Sequence, residues 1–441
     1  MSDPRSLAHS LVRTGFFSFL GKGLGFLVPI AVASWFGVGQ QTDTFFIAYA
    51  FVFFSVGVWG QGIELAALPH LVRWRHSLDV DVAAEIRWAH RALLIMAVAS
   101  VLPLAAVFGG AILRSVSGVV STRTAWICFI VLLPMFVASG AAGLSAAALG
   151  SEGRFAVPAL SQGFRAIGVL VAAALLRHSL GVVSLAIGYS VGEALRLVVL
   201  EVYRRRTQTG RKGPMAATLV RPGTAAREAW SVNVWPQFAA LALVNAGPLV
   251  ERWVATHTGT GAITEIDYGL RLFAIPATIF DSSLAAVLLS HWSHTAQRHG
   301  LAMLRASTKR LVWKVFVLAV VMAAACIWQR HAIVDVLLMR GKFDAASAAI
   351  VSKVFATLML GFPMGMAALV FERAFMAVQR TRALVAIAGG KLVVRGSVAI
   401  VLGMKFGVLG VAFAQPASSA VDLILQLILW RKAMVSGDAR A

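Results

Sequence analysis

The chain alternates between long apolar blocks and short polar connectors. Most apolar blocks run for about 20 residues or more, which is the length that a helix needs to cross a hydrocarbon layer of roughly 30 Å. The pattern predicts twelve membrane-spanning helices. They lie near residues 14–36, 43–72, 90–113, 124–149, 155–176, 181–203, 231–256, 266–291, 311–329, 347–378, 383–403 and 407–430.

The composition favours a membrane protein over a soluble one. Hydrophobic residues make up 59% of the 441 positions and charged residues 13%, with a mean hydropathy of +0.80. A soluble domain of this composition would expose large apolar patches to water. We therefore expect an all-α polytopic membrane protein with about 12 transmembrane helices.

The net charge of +21 is explained by topology rather than by nucleic acid. If the N-terminus lies in the cytoplasm, most Lys and Arg residues fall in cytoplasmic loops, and both termini lie inside. The most basic connector, near 203–228, is expected to contact anionic lipid headgroups. The outside loops hold only seven basic residues: Arg114, Arg123, Arg177, Arg330, Arg340, Lys342 and Lys405.

The two halves of the chain resemble each other. The pair Pro134-Met135 recurs as Pro363-Met364, and GVVSLAIGY from Gly181 recurs as GVLGVAFAQ from Gly407. The offset spans six helices, an even number, so both copies insert the same way up and form pseudo-symmetric lobes with a central cavity between them. The expected organisation is a six-helix lobe over 1–203, a basic cytoplasmic linker over 204–230 and a second six-helix lobe over 231–441.

Two basic residues lie in spans that are rich in glycine and proline. Lys22 lies in GKGLGFLVP and Arg271 in YGLRLFAIP. Glycine and proline suit helices that bend or line a cavity. If both spans face the cavity, these cations are candidates to bind a phosphate or pyrophosphate group. Asp43, in GQQTDTFFIAYAF, is the acidic residue at the start of the second span.

Other charged residues inside the spans are expected either to form ion pairs within the protein or to bind a coupling ion. Glu193 and Arg196 lie on one helical face and are expected to pair. Glu251 is either an internal ion-pair partner of Lys391 or Arg395, or a site that takes up a coupling cation or proton. Energy coupling by Na⁺, H⁺ or the membrane potential therefore stays open.

The sequence does not favour an enzyme. The ten histidines are scattered, and HWSHTAQRH lies in a predicted loop. No histidine spacing within a span suggests a metal site, and no glycine-rich loop suggests ATP. The two cysteines, Cys128 and Cys326, lie far apart inside apolar segments and do not suggest a disulfide. We expect no catalytic residue, no bound metal and no cofactor apart from a coupling ion.

Several segments resemble the MurJ/MviN lipid II flippases, within the larger flippase and multidrug-exporter superfamily. They include GKGLGF with GVGQQTDTFFIAYAF, EGRFAVPAL, YGLRLFAIPATIF, LMRGKFDAASA, AFMAVQRTR and KFGVLGVAFA. The resemblance implies a V-shaped pair of six-helix lobes in the bacterial inner membrane that moves undecaprenyl-pyrophosphate-linked glycans by alternating access. It also implies that Lys22, Asp43 and Arg271 stand at cavity positions, with Asp43 able to pair with one of the cations. Glycan-assembly proteins are the implied protein partners.

The chain departs from the family pattern in three places. Val28 stands where a second arginine is usual, FVFFSVGVWGQG carries no basic residue, and twelve helices replace the usual fourteen. Three alternatives to lipid II transport stay open: flipping of another surface-glycan precursor, ion-coupled export of small amphiphiles, and a scaffold that does not transport. A twelve-helix major-facilitator fold is disfavoured because its cytoplasmic loop signature is absent from LVRWRHSLDVDV.

Overall fold

A computed structural model describes residues 21, 23–76, 82–115, 118–209, 224–377 and 381–438. The described residues form helices joined by short turns, and no β-strand lies among them. This confirms the all-α polytopic class. Lys22 lies outside the described residues.

Among the described residues of the first half, a 3₁₀ turn at Leu24–Phe26 lies directly before the helix that starts at Leu27, and a π-helical segment at Gly57–Gln61 joins two further helices. They are α1 Leu27–Phe36, α2 Gln40–Val56, α3 Gly62–His76, α4 Val82–Leu113, α5 Thr122–Gly150, α6 Ala156–Ser161, α7 Gly163–Leu180 and α8 Val183–Thr209.

The described residues of the second half also form helices joined by short turns, and one of these helices has 67 residues. Its helices are α9 Thr224–Ala255, α10 Ala262–Trp328, α11 Arg330–Leu338, α12 Ala345–Leu360, α13 Phe362–Ala377, α14 Thr381–Ala412 and α15 Ala414–Asp438. The connector predicted as a loop over 292–310 is helical in the structure and continues α10. Ala, Arg, Leu, Met, Lys and Gln, which have high helix propensity, make up 11 of these 19 residues, and this outweighs the polar composition that suggested a loop.

The chain divides into two compact units. The first comprises the described residues of Met1–Ala31 and Thr44–Asn245, and the second comprises those of Val32–Asp43 and Ala246–Ala441. The short segment 32–43, which ends α1 and begins α2, thus packs with the second half of the chain. The lobe boundaries predicted at 203 and 231 stay a prediction.

Seven described helical segments are long and apolar enough to cross a membrane, and a pair bent by 42° adds an eighth if it counts as one span. The segments are Gln40–Val72, Glu85–Leu113, Thr122–Gly150, Ala156–Leu180, Val183–Thr207, Ser307–Trp328 and Val385–Ala412, and the bent pair is Ala345–Leu360 with Phe362–Phe375. The chain is therefore a multi-pass membrane protein. The number of twelve spans stays a prediction.

Glycines bring α7 and α8 unusually close together in the first unit. A Cβ atom on Gly168 would lie 2.5 Å from the carbonyl oxygen of Gly188, and one on Gly192 would lie 2.7 Å from the Cα of Arg165. Small residues allow such backbone contact between membrane helices. The close approach lets Arg165 of α7 reach Glu193 of α8.

The proposed internal repeat has a matching backbone feature in each half. Gly181, before α8, has φ 53° and ψ −135°, and Gly407, at a kink inside α14, has φ 61° and ψ −140°. A side chain is strained at such positive φ values, so glycine suits both positions. These are the residues that align at the start of GVVSLAIGY and GVLGVAFAQ, so each half turns its chain in the same way there.

Candidate functional site

Asp43 is wholly buried at the start of α2 and binds the beginning of α10. Its carboxylate accepts hydrogen bonds from the backbone N–H of Gly261 and from both the N–H and the hydroxyl of Thr264, at 2.9 and 2.6 Å. The residue before α10 is Gly261, which has no side chain that can accept from the first turn. Asp43 therefore caps α10 from another helix, where a negative charge is favoured by the helix dipole.

The loop that contains RGKFD closes on the same turn between α1 and α2. The N–H of Lys342 donates to the carbonyl of Ser34 at 2.9 Å. Gly341 has φ 62°, and a Cβ there would lie 2.2 Å from the same carbonyl oxygen, so only glycine fits. Phe343 is buried and meets Tyr268 edge-on at 5.7 Å, and the Tyr268 hydroxyl donates to the carbonyl of Gly37.

Three of the segments that carry the family resemblance thus meet at one place in the second unit. GQQTDTFF supplies Asp43, LMRGKFD supplies the loop, and YGLRLFAIP supplies the helix that they hold. In the sequence they are separate motifs, far apart along the chain. Their shared role is to fix the turn between α1 and α2 to the start of α10.

One turn into α10, two arginines share one buried carboxylate. Asp267 is 1% exposed. Its Oδ1 lies 2.5 Å from Nη2 of Arg252 on α9, and its Oδ2 accepts from Nε of Arg271. The formal charges of these three side chains sum to +1. The Arg252 and Arg271 side chains are 12% and 21% exposed, so both are largely but not wholly buried.

The resemblance implies that Asp43 can pair with one of the cavity cations, Lys22 or Arg271. In the structure Arg271 binds Asp267, and the described hydrogen bonds of Asp43 come from Gly261 and Thr264 at the start of α10. Lys22 lies outside the described residues, so a pair of Asp43 with Lys22 stays a prediction. Asp267 is a residue of the arginine cluster that was not predicted from the sequence. The signal was present, because Asp267 and Arg271 are four residues apart and so lie on one helical face.

Two further acidic residues of the second unit are each held by a base from α14. Glu251 of α9 accepts two hydrogen bonds from Arg395, at 2.6 and 2.8 Å. Asp422 of α15 lies 2.6 Å from Nζ of Lys391. Of the two readings of Glu251, the structure has the internal ion pair, with Arg395 as the partner.

A matching ion cluster lies inside the first unit. Glu193 is wholly buried and binds Arg165 at 2.5 Å and Arg196 at 2.9 Å. The predicted pair of Glu193 with Arg196 is confirmed. Arg165 comes from α7 rather than α8, so this cluster also ties two membrane helices together, as buried charges in a bilayer require.

A second acid, Glu265, lies beside Asp43 in the first turn of α10, just before the span predicted from 266. It is 7% exposed. Burial, together with the nearby carboxylates of Asp43 and Asp344, raises the pKa of Glu265 from 4.5 to about 7. A carboxyl with a raised pKa keeps its proton in the folded protein over a pH range in which the unfolded chain has lost it.

Because of this shift, we expect the stability of the folded protein to fall as the pH rises. The contribution of protonated Glu265 is complete below about pH 4.5 and is lost as the pH passes through about 7; such a shift corresponds to at most about 3 kcal/mol. Thermal unfolding of the purified protein from about pH 5 to about pH 8 measures the effect. The Glu265→Gln variant should lose this part of the pH dependence, and an unchanged profile would contradict the assignment.

Taken together, the apolar helices and the ion clusters buried among them define a multi-pass α-helical membrane protein. A family model described as lipid II flippase MurJ matches residues 32–441. The chain therefore belongs to the MurJ family.

Curated relatives agree with this membership. The lipid II flippase MurJ of Burkholderia cenocepacia is 24% identical over 404 residues, which cover 88% of this chain and 77% of that protein. A probable lipid II flippase MurJ of Rhizobium meliloti is 27% identical over 173 residues, which cover 39% of this chain and 32% of that protein.

Solved structures show the same fold. A lipid II flippase MurJ in an inward closed conformation superposes with a TM-score of 0.79 at 20% identity, covering 95% of this chain and 87% of that one. An inward-facing multidrug resistance transporter of the MATE family has a TM-score of 0.74 at 11% identity, covering 97% and 99%. These likenesses extend over almost the whole chain and establish its architecture.

Proposed function

We propose that this protein is a flippase that moves an undecaprenyl-pyrophosphate-linked glycan precursor, lipid II or a close relative, across the bacterial cytoplasmic membrane by alternating access. The observation that carries the proposal is the match to the lipid II flippase family over residues 32–441. The charges of the second unit are consistent with an anionic substrate.

The cluster of Arg252, Asp267 and Arg271 is the proposed contact for the pyrophosphate. Its net charge of +1 attracts an anion, and the planar guanidinium groups form charge-assisted hydrogen bonds with phosphate oxygens. Nε of Arg252 is buried and has no hydrogen-bond partner among the described residues. Asp267 holds both arginines in place without cancelling their charge. Lys22 is proposed to contribute a further cation.

Asp43 is proposed to control access rather than to bind the substrate. Its three hydrogen bonds and the loop at Gly341 hold the turn between α1 and α2 against α10. Release of this turn requires all these contacts to break together. A set of contacts that forms and breaks as a whole suits a gate that is either closed or open during a transport cycle.

The proposed setting is the inner membrane, with both termini in the cytoplasm. Membrane lipids and the lipid-linked substrate are the proposed partners, together with glycan-assembly proteins and without nucleic acid. The basic connector between α8 and α9 is proposed to lie against anionic headgroups on the cytoplasmic side.

Bacteria depleted of their own lipid II flippase and expressing this chain test the function directly. Lipid II on the outer face of the cytoplasmic membrane is quantified while the amount of membrane-inserted protein is measured in parallel. We expect exposure of lipid II and growth to return. Protein that is present in the membrane while exposure stays at the depleted level would overturn lipid II as the substrate.

A further inference from the structure

We propose that Glu64 of the first unit is a proton-binding site, and that its carboxyl group exchanges the proton for the guanidinium of Arg196. The proton is the ligand, and the neighbouring ion cluster of Arg165, Glu193 and Arg196 supplies the positive charge that takes its place. The inference goes beyond the proposed transport function and does not depend on the substrate.

Glu64 is an acid inside a membrane span that has no direct partner among the described residues. It lies within the apolar segment Gln40–Val72, in the first turn of α3, directly after the π-helical segment. No hydrogen bond or ion pair from a described residue reaches its carboxyl group. An ionised carboxylate without a partner is unfavourable in a bilayer, so this geometry fits the protonated acid. Single π-helical turns inside membrane helices are frequent at functional sites.

The described charged groups that act on Glu64 come from α7 and α8. They are Arg196, Arg165 and Glu193. In contrast, α4, α5 and the described part of α9 meet α3 through an apolar cluster. Glu64 is partly exposed, whereas Glu193 is wholly buried and holds two arginines. The proton therefore exchanges at Glu64 rather than at Glu193.

The charges of the cluster oppose the burial of Glu64. The formal charges of Arg165, Glu193 and Arg196 sum to +1. Ionised Glu64 would neutralise this excess, whereas protonated Glu64 leaves it in the span. A carboxylate without a cation and a guanidinium without an anion are both unfavourable there. Neither form of Glu64 is strongly favoured, and this is the condition for a proton that is readily taken up and released.

Arg196 is the arginine that can change partners. Glu193 accepts from Arg165 at 2.5 Å and from Arg196 at 2.9 Å, and Nε of Arg196 also donates to the hydroxyl of Ser161 at 3.4 Å. The last distance is long for a hydrogen bond. When Arg196 leaves, Glu193 still keeps Arg165.

The exchange balances in atoms and charge. The O–H bond of Glu64 breaks and the proton passes to water. One N–H group of Arg196 then donates to the Glu64 carboxylate instead of to Glu193. No electron is transferred, and the four side chains change from a formal charge of +1 to zero.

The test is infrared difference spectroscopy of the purified full-length protein as the pH is raised, with the C=O stretch of protonated carboxyl groups as the signal. A Glu265→Gln background removes the carboxyl whose pKa burial raises to about 7. We expect a band that disappears as Glu64 ionises. Glu64→Gln should lack this band, and Glu64→Asp should shift its frequency. Asp335→Asn, which changes an exposed acid of α11, should leave the band unchanged.

A second variant tests the exchange of partners. In Arg196→Gln, ionised Glu64 lacks the cation that is proposed to neutralise it, so the band should persist to a pH at least about one unit higher. Arg205→Gln, which removes an exposed arginine of the same helix that pairs with Glu201, should leave the titration unchanged.

Two results would overturn the proposal. One is a protonated-carboxyl band that is the same in Glu64→Gln as in the parent protein, because the proton would then lie elsewhere. The other is an unchanged titration in Arg196→Gln, because Arg196 would then not replace the proton. If Glu64→Gln does not fold, Glu64→Asp decides the first point, since a band that keeps its frequency does not come from Glu64. Transport is not measured, so a failure here is distinct from a failure of the flippase proposal.

Discussion

Arg271→Ala is expected to reduce transport by at least about tenfold while the protein still folds and inserts. The reason lies in the shared carboxylate: without Arg271, Asp267 keeps its ion pair with Arg252 at 2.5 Å, so this carboxylate still has a cationic partner. What is lost is the excess positive charge of the cluster, and a charge-assisted hydrogen bond contributes roughly 1.5–3 kcal/mol. Exposure of lipid II on the outer face, normalised to protein in the membrane, is the measurement.

Two further variants make this result specific. Arg271→Lys keeps the charge and should retain part of the activity. Arg330→Ala removes an arginine of the same unit that lies outside the described charge clusters and whose side chain contacts His331 beside it, and it should leave transport unchanged. Full activity of Arg271→Ala would remove Arg271 from the proposed pyrophosphate site.

The second large effect is expected on stability rather than on transport. Arg395→Ala leaves Glu251, which is 2% exposed, without its bidentate partner. Breaking a buried ion pair by removing one member typically costs about 3–5 kcal/mol. Thermal unfolding and the yield of membrane-inserted protein should both fall markedly.

A double variant separates charge from packing. Glu251→Gln combined with Arg395→Met removes both charges and keeps similar side-chain volumes, so it should recover much of the stability that Arg395→Ala loses. If the double variant is as unstable as Arg395→Ala, the loss arises from packing of the Arg395 side chain, which lies so close to Gly247 that a Cβ added there would be 2.7 Å from its Cδ, and the ion-pair explanation is wrong.

The sequence was most informative about charged residues that pair with a partner three or four positions away along the same helix. Glu193 with Arg196 follows from helical spacing alone, and the same rule would have identified Asp267 with Arg271. The partner of Glu251 was limited to Lys391 or Arg395. The choice between them needed the structure, because Asp422, 31 positions beyond Lys391, takes that lysine.

The role of Asp43 could not be derived from its neighbours in the sequence. Its partners Gly261 and Thr264 lie more than 200 positions away. The one local indication lies at the start of α10, because the residue before this helix is a glycine, which has no side chain to accept a hydrogen bond from the first turn. A helix start without a cap indicates that a cap comes from elsewhere, but nothing in a single sequence says from which residue.

The assignment of residues 32–43 to the second unit means that neither unit is a continuous stretch of chain. A protease cut or a gene split in the basic connector between α8 and α9 would give two fragments, but neither fragment would contain a whole unit. The first would carry Asp43, and the second would carry Gly261 and Thr264, which Asp43 binds. We therefore expect the two fragments to complement each other when they are produced together, because each fragment carries residues that the other needs to complete its unit.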